Sequence, residues 1–327
     1  MSAVGLSRMS VQLPGRLEAV DDILARNGRR STERRMFSKV YGLRHSPTLA
    51  PGERMEQLLA TAGRRALDGG KAALILYGHT LLIQQFGCRG GFSDWLRAEL
   101  GTPDTPMYGV SHVNCVSVLR SVELARRFLA SPRGADGGPV LVLGGDHGSI
   151  SDRSRFIPGM TVGGDAALAF TVTRESGPES ESRRPRPRYR YLGGASGRDT
   201  RFYRNLRMSQ AELALFGKVS CAGAVATLAA AADAAGLAVD DLDWLMPHLS
   251  NAMFWRTFAA ASGIPRDRIC LELLPEQGHN FGTDALMALD RADRDGRLKT
   301  GQRCALISLG QGAYFQVVIV EISEESC

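Results

Sequence analysis

The sequence predicts an α/β protein built from two similar halves packed into one body. Short apolar runs of strand length end in glycine or histidine turns, and helix-patterned stretches alternate with them along the chain. The order of His-ended strand, junction plus helix, and glycine-turn hairpin occurs twice. Corresponding landmarks lie about 30 to 36 residues apart in each half, a weak internal repeat.

In the first half, Ala72 to Tyr77 is a continuous apolar run closing at Gly78-His79, as a strand buried on both faces reads. Met107, Tyr108 and Val110 then give way, through Ser111-His112-Val113-Asn114, to Val116 to Ala130. Val118, Val122, Ala125 and Leu129 recur there at steps of four and three, one face of an α-helix. After the Ser131-Pro132-Arg133-Gly134 break, Val140 to Leu143 reads as another buried strand, closed by Gly144-Gly145-Asp146. Gly163-Gly164-Asp165 leads into its antiparallel partner, Ala166 to Val172.

The second half repeats the order. Leu242 to Met246 runs into Pro247-His248, and Ile269 to Leu274 runs into Gly278-His279-Asn280 and a helix from Asp284 to Ala292. Ala305 to Leu309 closes at Gly310-Gln311-Gly312, followed by Tyr314 to Ile322. Between the halves, Arg174 to Arg207 is dense in Pro, Ser, Gly and Arg and reads as a linker or loop excursion. Its arginines (Arg183, Arg184, Arg186, Arg188, Arg190, Arg198, Arg201, Arg204 and Arg207) are suited to phosphate or an acidic protein surface, with a solvated loop as the default. The expected organisation is therefore residues 1–173, a basic linker 174–207, and residues 208–327.

Cys115 stands out because it sits where a strand-like stretch meets a helix. Unpaired amides and the positive end of the helix dipole favour a thiolate there, and the same amides can hold an oxyanion formed when sulfur attacks a thioester. A small buried hydrophobe is the plainer reading. If the halves stack about a pseudo-twofold axis, His248 and His279 converge on this sulfur and supply a base and a carbonyl-polarising donor. Structural hydrogen bonding is the reading for His79, His112 and His147, with His112 close enough to line a pocket. Trp244 and Trp255 read as core.

Bulk properties limit the setting. The 327 residues are 44% hydrophobic, enough for a large core. No apolar run reaches membrane-spanning length and Met1 to Arg16 lacks a signal-peptide centre, so a cytoplasmic protein is expected. The six cysteines, Cys88, Cys115, Cys221, Cys270, Cys304 and Cys327, show no CxxC pairing, which points to neither zinc nor a disulfide framework. The formal charge of +6 favours an acidic partner, and no nucleic-acid module accompanies it.

At this point the residues resemble a known family, the β-ketoacyl-ACP synthase III-type condensing enzymes of the thiolase superfamily. Tyr41-Gly42-Leu43-Arg44 resembles their early Thr-Gly-Ile-Arg stretch, and Asn114-Cys115 before a helix resembles their nucleophile elbow. Gly163-Gly164-Asp165-Ala166-Ala167 resembles their Gly-Asp-Gly-Ala segment, and Pro247-His248-Leu249-Ser250-Asn251 their Pro-His-Gln-Ala-Asn motif. Gly310-Gln311-Gly312 stands where they carry a glycine run.

The resemblance implies a five-layered α-β-α-β-α fold made of two duplicated halves, and a homodimer. It implies that Cys115 accepts an acyl group from CoA or the phosphopantetheine of an acyl carrier protein, with no other cofactor and no metal. It places His248 beside the sulfur and assigns the oxyanion hole to the amides of Cys115 and Gly312. Asn251 and Arg256 become candidates for holding the substrate or its carrier.

Two departures refine this. The family's third catalytic residue is an asparagine directly after a glycine; here Gly278 is followed by His279, with Asn280 one place later. Counting back from Leu289 puts His279 in that slot, with Asn280 and Asp284 as further candidates. In some acyltransferase relatives an acidic residue assists a histidine, while the simpler role for Asp284 is to complement the dipole of its helix. The second departure concerns the donor. Met36, Val40 and Met253 occupy the positions where CoA-using relatives carry a tryptophan and two arginines, which ranks a carrier protein ahead of free CoA, with Arg256 as compensation.

The reading is an acyltransferase that primes Cys115 and condenses the acyl group with a malonyl-type thioester, His248 and His279 stabilising the enolate. A specialised pathway such as polyketide or other secondary metabolism is expected over housekeeping fatty-acid initiation. Acyl transfer to an oxygen or nitrogen nucleophile is the alternative enzyme, and a non-catalytic partner subunit of a ketosynthase is the alternative of another class.

Overall fold

The computed structural model describes residues 3–135, 137–175, 187–204 and 207–324. The first half contains β1 (Val4–Gln12), β2 (Arg16–Ala19), α1 (Val20–Arg26), α2 (Ser31–Lys39), β3 (His45–Thr48), α3 (Met55–Leu67), β4 (Leu74–Gly78), α4 (Phe92–Glu99) and β5 (Met107–Val110). It continues through α5 (Ser117–Ala130), α6 (Pro132–Ala135), β6 (Val140–His147), α7 (Asp152–Arg155), β7 (Phe156–Ile157), β8 (Thr161–Val162) and β9 (Asp165–Arg174). The second half contains β10 (Tyr189–Arg198), α8 (Gln210–Ala234), β11 (Trp244–Met246), α9 (Ala252–Ser262), α10 (Leu274–Gln277), α11 (Asp284–Arg294), β12 (Arg303–Gly310) and β13 (Tyr314–Ile322).

Nine strands hydrogen-bond in the order β11-β12-β13-β10-β1-β9-β6-β4-β5. The halves join where β1 meets β10 through Gly5 opposite Arg190 and Leu6 opposite Tyr189. On either side the strands alternate cleanly between two faces. In β6, Val140 and Val142 enter a central core while Leu141 and Leu143 enter an outer one; in β13, Val318 and Val320 face the central core and Val317 and Ile319 the other outer one. Helices α5 and α11 fill the central core, α3 covers one outer face, and α8 and α9 cover the other. The result is the expected five-layered α-β-α-β-α arrangement of a thiolase-like fold.

Helix α5 is buried along one face by Val118, Leu119, Val122, Ala125 and Leu129. Its start lies almost in contact with the ends of the first-half strands. A β-carbon on Gly78, at the end of β4, would come within 2.9 Å of the Val118 backbone, and one on Gly282 within 2.9 Å of Val118 Cγ2. Glycine is what permits this approach, and it presses the residue preceding α5 towards the second half.

Three expectations are corrected. The segment 174–207 is not a linker throughout, because β10 is an interior strand between β1 and β13. It is poor in aliphatic residues because it lies flat under α8: a β-carbon at Gly193 would meet Ala235 N at 2.7 Å, and one at Gly197 would meet Thr227 Oγ1 at 2.5 Å. Its arginines are partly consumed internally, Arg188 by Asp293, Arg190 by Glu321 and Arg201 by Asp199. Arg183, Arg184 and Arg186 lie outside the described residues. Residues of β10 therefore belong to the sheet and not to a linker.

The run Ile269 to Leu274 forms no strand. Ile269 makes one isolated parallel bridge to Leu245, and the chain then turns into the short α10 behind Pro275. Lastly, one described helix, the 25-residue α8 with a mean hydropathy of 1.6, has the length and composition to cross a membrane. Alanines supply that hydropathy, and the helix lies on the sheet with Phe216, Cys221, Ala224, Leu228, Ala231 and Ala232 buried.

The close approach at Gly78 yields a prediction. Gly78→Ala should lower the unfolding free energy by about 1–3 kcal/mol, through overpacking against a backbone that cannot retreat. It should also slow alkylation of Cys115 by iodoacetamide, measured beside a denaturant titration.

Candidate active site

Cys115 lies in a single 3-10 turn, Asn114–Val116, that leads into α5. The approach is strained, since His112 and Asn114 both adopt left-handed backbone conformations, with φ of 62° and 52°. Two bonds from the β12 segment hold it: Asn114 Nδ2 donates to the Gln311 carbonyl at 2.5 Å, and Ser308 Oγ donates to the Cys115 carbonyl at 2.5 Å. The nucleophile turn of the first half is thus clamped by the hairpin strand of the second.

The histidines arrive from two other segments. His248 follows β11, and its carbonyl accepts from Trp255 Nε1 at 2.6 Å, which ties it to the core of α9. His279 lies between α10 and α11, and its carbonyl accepts from Gly164 N at 2.8 Å. His279 Nε2 is 3.8 Å from Cys115 Sγ. The two imidazole centroids are 4.5 Å apart with the rings at 74°. Donor atoms of Cys115, His248 and His279 all lie within 4.8 Å of one another.

Asp284 organises this set. Its Oδ2 accepts from His279 Nδ1 at 2.6 Å and from Leu249 N at 2.7 Å, while Oδ1 accepts from Asn280 N at 2.6 Å. His248 Nδ1 stands 3.4 Å from the same Oδ2 and makes no hydrogen bond. The residue is 1% exposed, so its carboxylate serves the site and not merely the dipole of α11. The favoured sequence reading of Asp284 is corrected accordingly.

Electrostatics separate the imidazoles. For His279, burial opposes the charge, but the Asp284 carboxylate and Cys115 outweigh it and raise the pKa to about 10. For His248, burial and the neighbouring His279 charge together push the pKa down to about 3, against the weaker pull of Asp284. One ring is held cationic and the other neutral across the physiological range.

The remaining candidates are distributed as follows. A cavity of about 200 Å³ reaches Cys115, His248 and His279, and its wall includes Tyr41, Asn251, Met253 and Phe254. Asn251 uses its side chain to cap α9 through Phe254 N and to donate to the Met160 carbonyl. Arg256 is exposed on α9 and away from the lining, as is His112. Asn280 is buried and donates to the Gln277 carbonyl, also off the lining.

Gly312, the expected partner of the Cys115 amide, lies in the turn between β12 and β13. The cavity meets the β12-β13 turn at Gly310 and Gln311, whereas a β-carbon on Gly312 would point into the Tyr314 ring. Sequence reasoning missed the Asn114–Gln311 and Ser308–Cys115 clamps, which have no periodic signature. It also missed Phe216, Ser220 and Cys221 of α8 as cavity wall.

Comparisons with known proteins agree with this architecture. Residues 232–322 match the family described as 3-oxoacyl-[acyl-carrier-protein (ACP)] synthase III C terminal. A β-ketoacyl-[acyl-carrier-protein] synthase III from Rhizorhabdus wittichii is 27% identical over 288 residues, covering 83% of this chain and 85% of that one. The 3-oxoacyl-[acyl-carrier-protein] synthase III from Aquifex aeolicus superposes with a TM-score of 0.79 at 16% identity, over 97% of this chain and 99% of that one. The acyltransferase ChlB3 superposes with a TM-score of 0.81 at 17% identity, over 99% of this chain and 98% of that one.

The split imidazoles make stability depend on pH in both directions. His279 binds its proton more tightly when folded, so its contribution is complete below its ordinary value of 6.5 and is lost as pH rises towards 10. His248 is held neutral, so its contribution is complete above 6.5 and is lost as pH falls towards 3. Urea midpoints should therefore peak near pH 6.5, with His248→Gln flattening the acid limb and His279→Gln the alkaline limb.

Proposed function

We propose that this chain, a ketosynthase III-like condensing enzyme of the thiolase superfamily and hence an acyltransferase, loads an acyl group on Cys115 and condenses it with a malonyl-type thioester. The observation that carries the reading is the line from Cys115 Sγ to His279 Nε2 at 3.8 Å and from His279 Nδ1 to Asp284 at 2.6 Å. It sets the sulfur beside a fixed cationic imidazole, which favours the thiolate at the end of a buried cavity. Enzymes of this type need no metal or other cofactor beyond the carried acyl group.

In the first half-reaction the Cys115 sulfur, as the thiolate beside the His279 imidazolium, attacks the thioester carbonyl carbon. The oxyanion is held by the amide of Cys115 and an amide of the Gly310-Gln311 turn. The carrier's sulfur leaves and takes a proton from His279. In the second, the malonyl group loses carbon dioxide, and His248 and His279 hold the enolate oxygen. The carbanion attacks the acyl carbon, and Cys115 leaves as the new C–C bond forms.

A second reading is favoured by one specific observation, the carboxylate behind His279. It sustains the charge on one imidazole while His248 stays neutral and able to take a proton from an alcohol or amine, which is the requirement of acyl transfer to oxygen or nitrogen. Retention of Cys115, His248 and a polarising carboxylate weighs against a non-catalytic partner subunit.

The donor is an acyl carrier protein in this reading. Met253 and Val40, both about half exposed, and Met36 stand where the resemblance expects a grip on a nucleotide, and the chain carries a net +6. Arg256 on the surface of α9 is a contact for an acidic carrier. The protein acts as a cytoplasmic homodimer across the free edge of β5, where Tyr108, Leu82 and Ile83 are exposed by 62%, 62% and 76%. A specialised pathway such as polyketide or other secondary metabolism fits the altered third residue.

Two measurements test this. Incubation with acyl-carrier and acyl-CoA donors should add the acyl mass to the intact protein, and Cys115→Ser should abolish the adduct. Malonyl thioester should then discharge it with release of carbon dioxide; discharge only by alcohols or amines establishes the second reading, and no adduct from any donor overturns both. Asp284→Asn should slow adduct formation by about 10²-fold or more. It should also add an inflection between pH 5 and 8, because His279 loses the carboxylate that holds it above that range.

A further inference from the structure

Helix α8 places an unused hydroxyl on the wall of the catalytic cavity. Serine and threonine within helices commonly donate to the carbonyl one turn back. Ser121 does so to Ser117 O at 2.9 Å, Thr227 to Gly223 O at 2.7 Å and Thr257 to Met253 O at 3.2 Å. Ser220 does not. It is 4% exposed and lines the cavity that reaches Cys115, and its hydroxyl makes no hydrogen bond among the described residues. Nor is that oxygen among the buried polar atoms sealed away from any partner. What remains open of Ser220 therefore opens on the cavity.

The surroundings make this hydroxyl informative. Phe216, Phe254, Leu309 and Met253 line the same cavity and are apolar, while the Asn251 side chain is engaged with Phe254 N and the Met160 carbonyl. On the α9 side, Ser250 is a second lining hydroxyl with no hydrogen bond among the described residues. A hydroxyl that opens on the cavity and is not spent on its own helix is available to a polar atom of the occupant. The cavity that reaches Cys115 is walled by residues of both α8 and α9.

We propose that Ser220 is a specificity-determining residue that hydrogen-bonds an amide carbonyl of the pantetheine arm, so that the channel selects thioesters bearing amides over equally apolar thioesters without them. This rests on the acyl-enzyme reading above. The shared chemistry is a carbonyl oxygen within the channel, and its two sources are the arm and the acyl group itself.

Binding in the Cys115→Ser background isolates the inference from the chemistry. Calorimetry would compare acyl-pantetheine, acyl-N-acetylcysteamine and an acyl ethanethioester, with and without Ser220→Ala. Alanine favours the helix, so the variant keeps α8 intact. The expected result is about three- to tenfold weaker binding of acyl-pantetheine on losing one hydrogen bond. The ethanethioester should be unaffected, and the N-acetylcysteamine thioester should show whether the amide nearer the sulfur or the farther one is read. Equal binding of all three by both proteins overturns the proposal, as does a loss that persists with the ethanethioester, which would place the oxygen in the acyl group. Failure of the parent protein to form an acyl adduct is a separate outcome and counts against the acyl-enzyme reading alone.

Discussion

A single buried negative charge, on Asp284, is the constraint on which the site depends. A carboxylate taken out of water is tolerated only when its lone pairs are answered. Here Leu249 N, Asn280 N and His279 Nδ1 answer them at 2.6 to 2.7 Å. Leu249 belongs to one stretch of chain and His279-Asn280 to another, so satisfying one charge fixes the turn after β11, the turn before α11 and the orientation of the imidazole facing Cys115. The same charge keeps His279 cationic, and burial together with that neighbouring charge keeps His248 neutral.

The two halves divide the labour. The first brings Cys115 in the turn before a helix whose apolar face is sunk in the central layer, and it stores strain at His112 and Asn114. The second brings the two imidazoles, Asp284 and the clamps on that strained turn from Ser308 and Gln311. Neither half contains a complete site. A stacked duplication with its seam at β1 and β10 places helix starts from both halves at a common interface, which is the geometry that chemistry on a sulfur requires.

Much of this was legible in the chain. Strands β4, β6, β9, β12 and β13, helix α5 and helix α11 follow from apolar runs and 3.6-residue periodicity, because each contributes one or two buried faces and local pattern reports burial. Other elements were illegible for physical reasons. Strand β10 hides its role because pressing against α8 demands glycines, the residues that otherwise signal a loop. Helix α8 is rich in alanine, so its faces carry little contrast. Ile269 to Leu274 is apolar because it is buried, and burial alone does not distinguish a strand from a packed turn.

What the sequence by itself determined is the cast: a cysteine at a strand-to-helix junction, a histidine after a buried strand, a second one before a helix, and the α/β order that lets them meet. Those are local matters of side-chain type, spacing and turn chemistry. Tertiary structure alone decided that Asp284 faces the imidazoles and not the solvent end of its helix dipole, that Gly310 and Gln311 and not Gly312 meet the cavity, and that α8 closes its wall. Each depends on which distant backbone amide or ring occupies the few ångströms beside a side chain, and no spacing along one strand or helix encodes that.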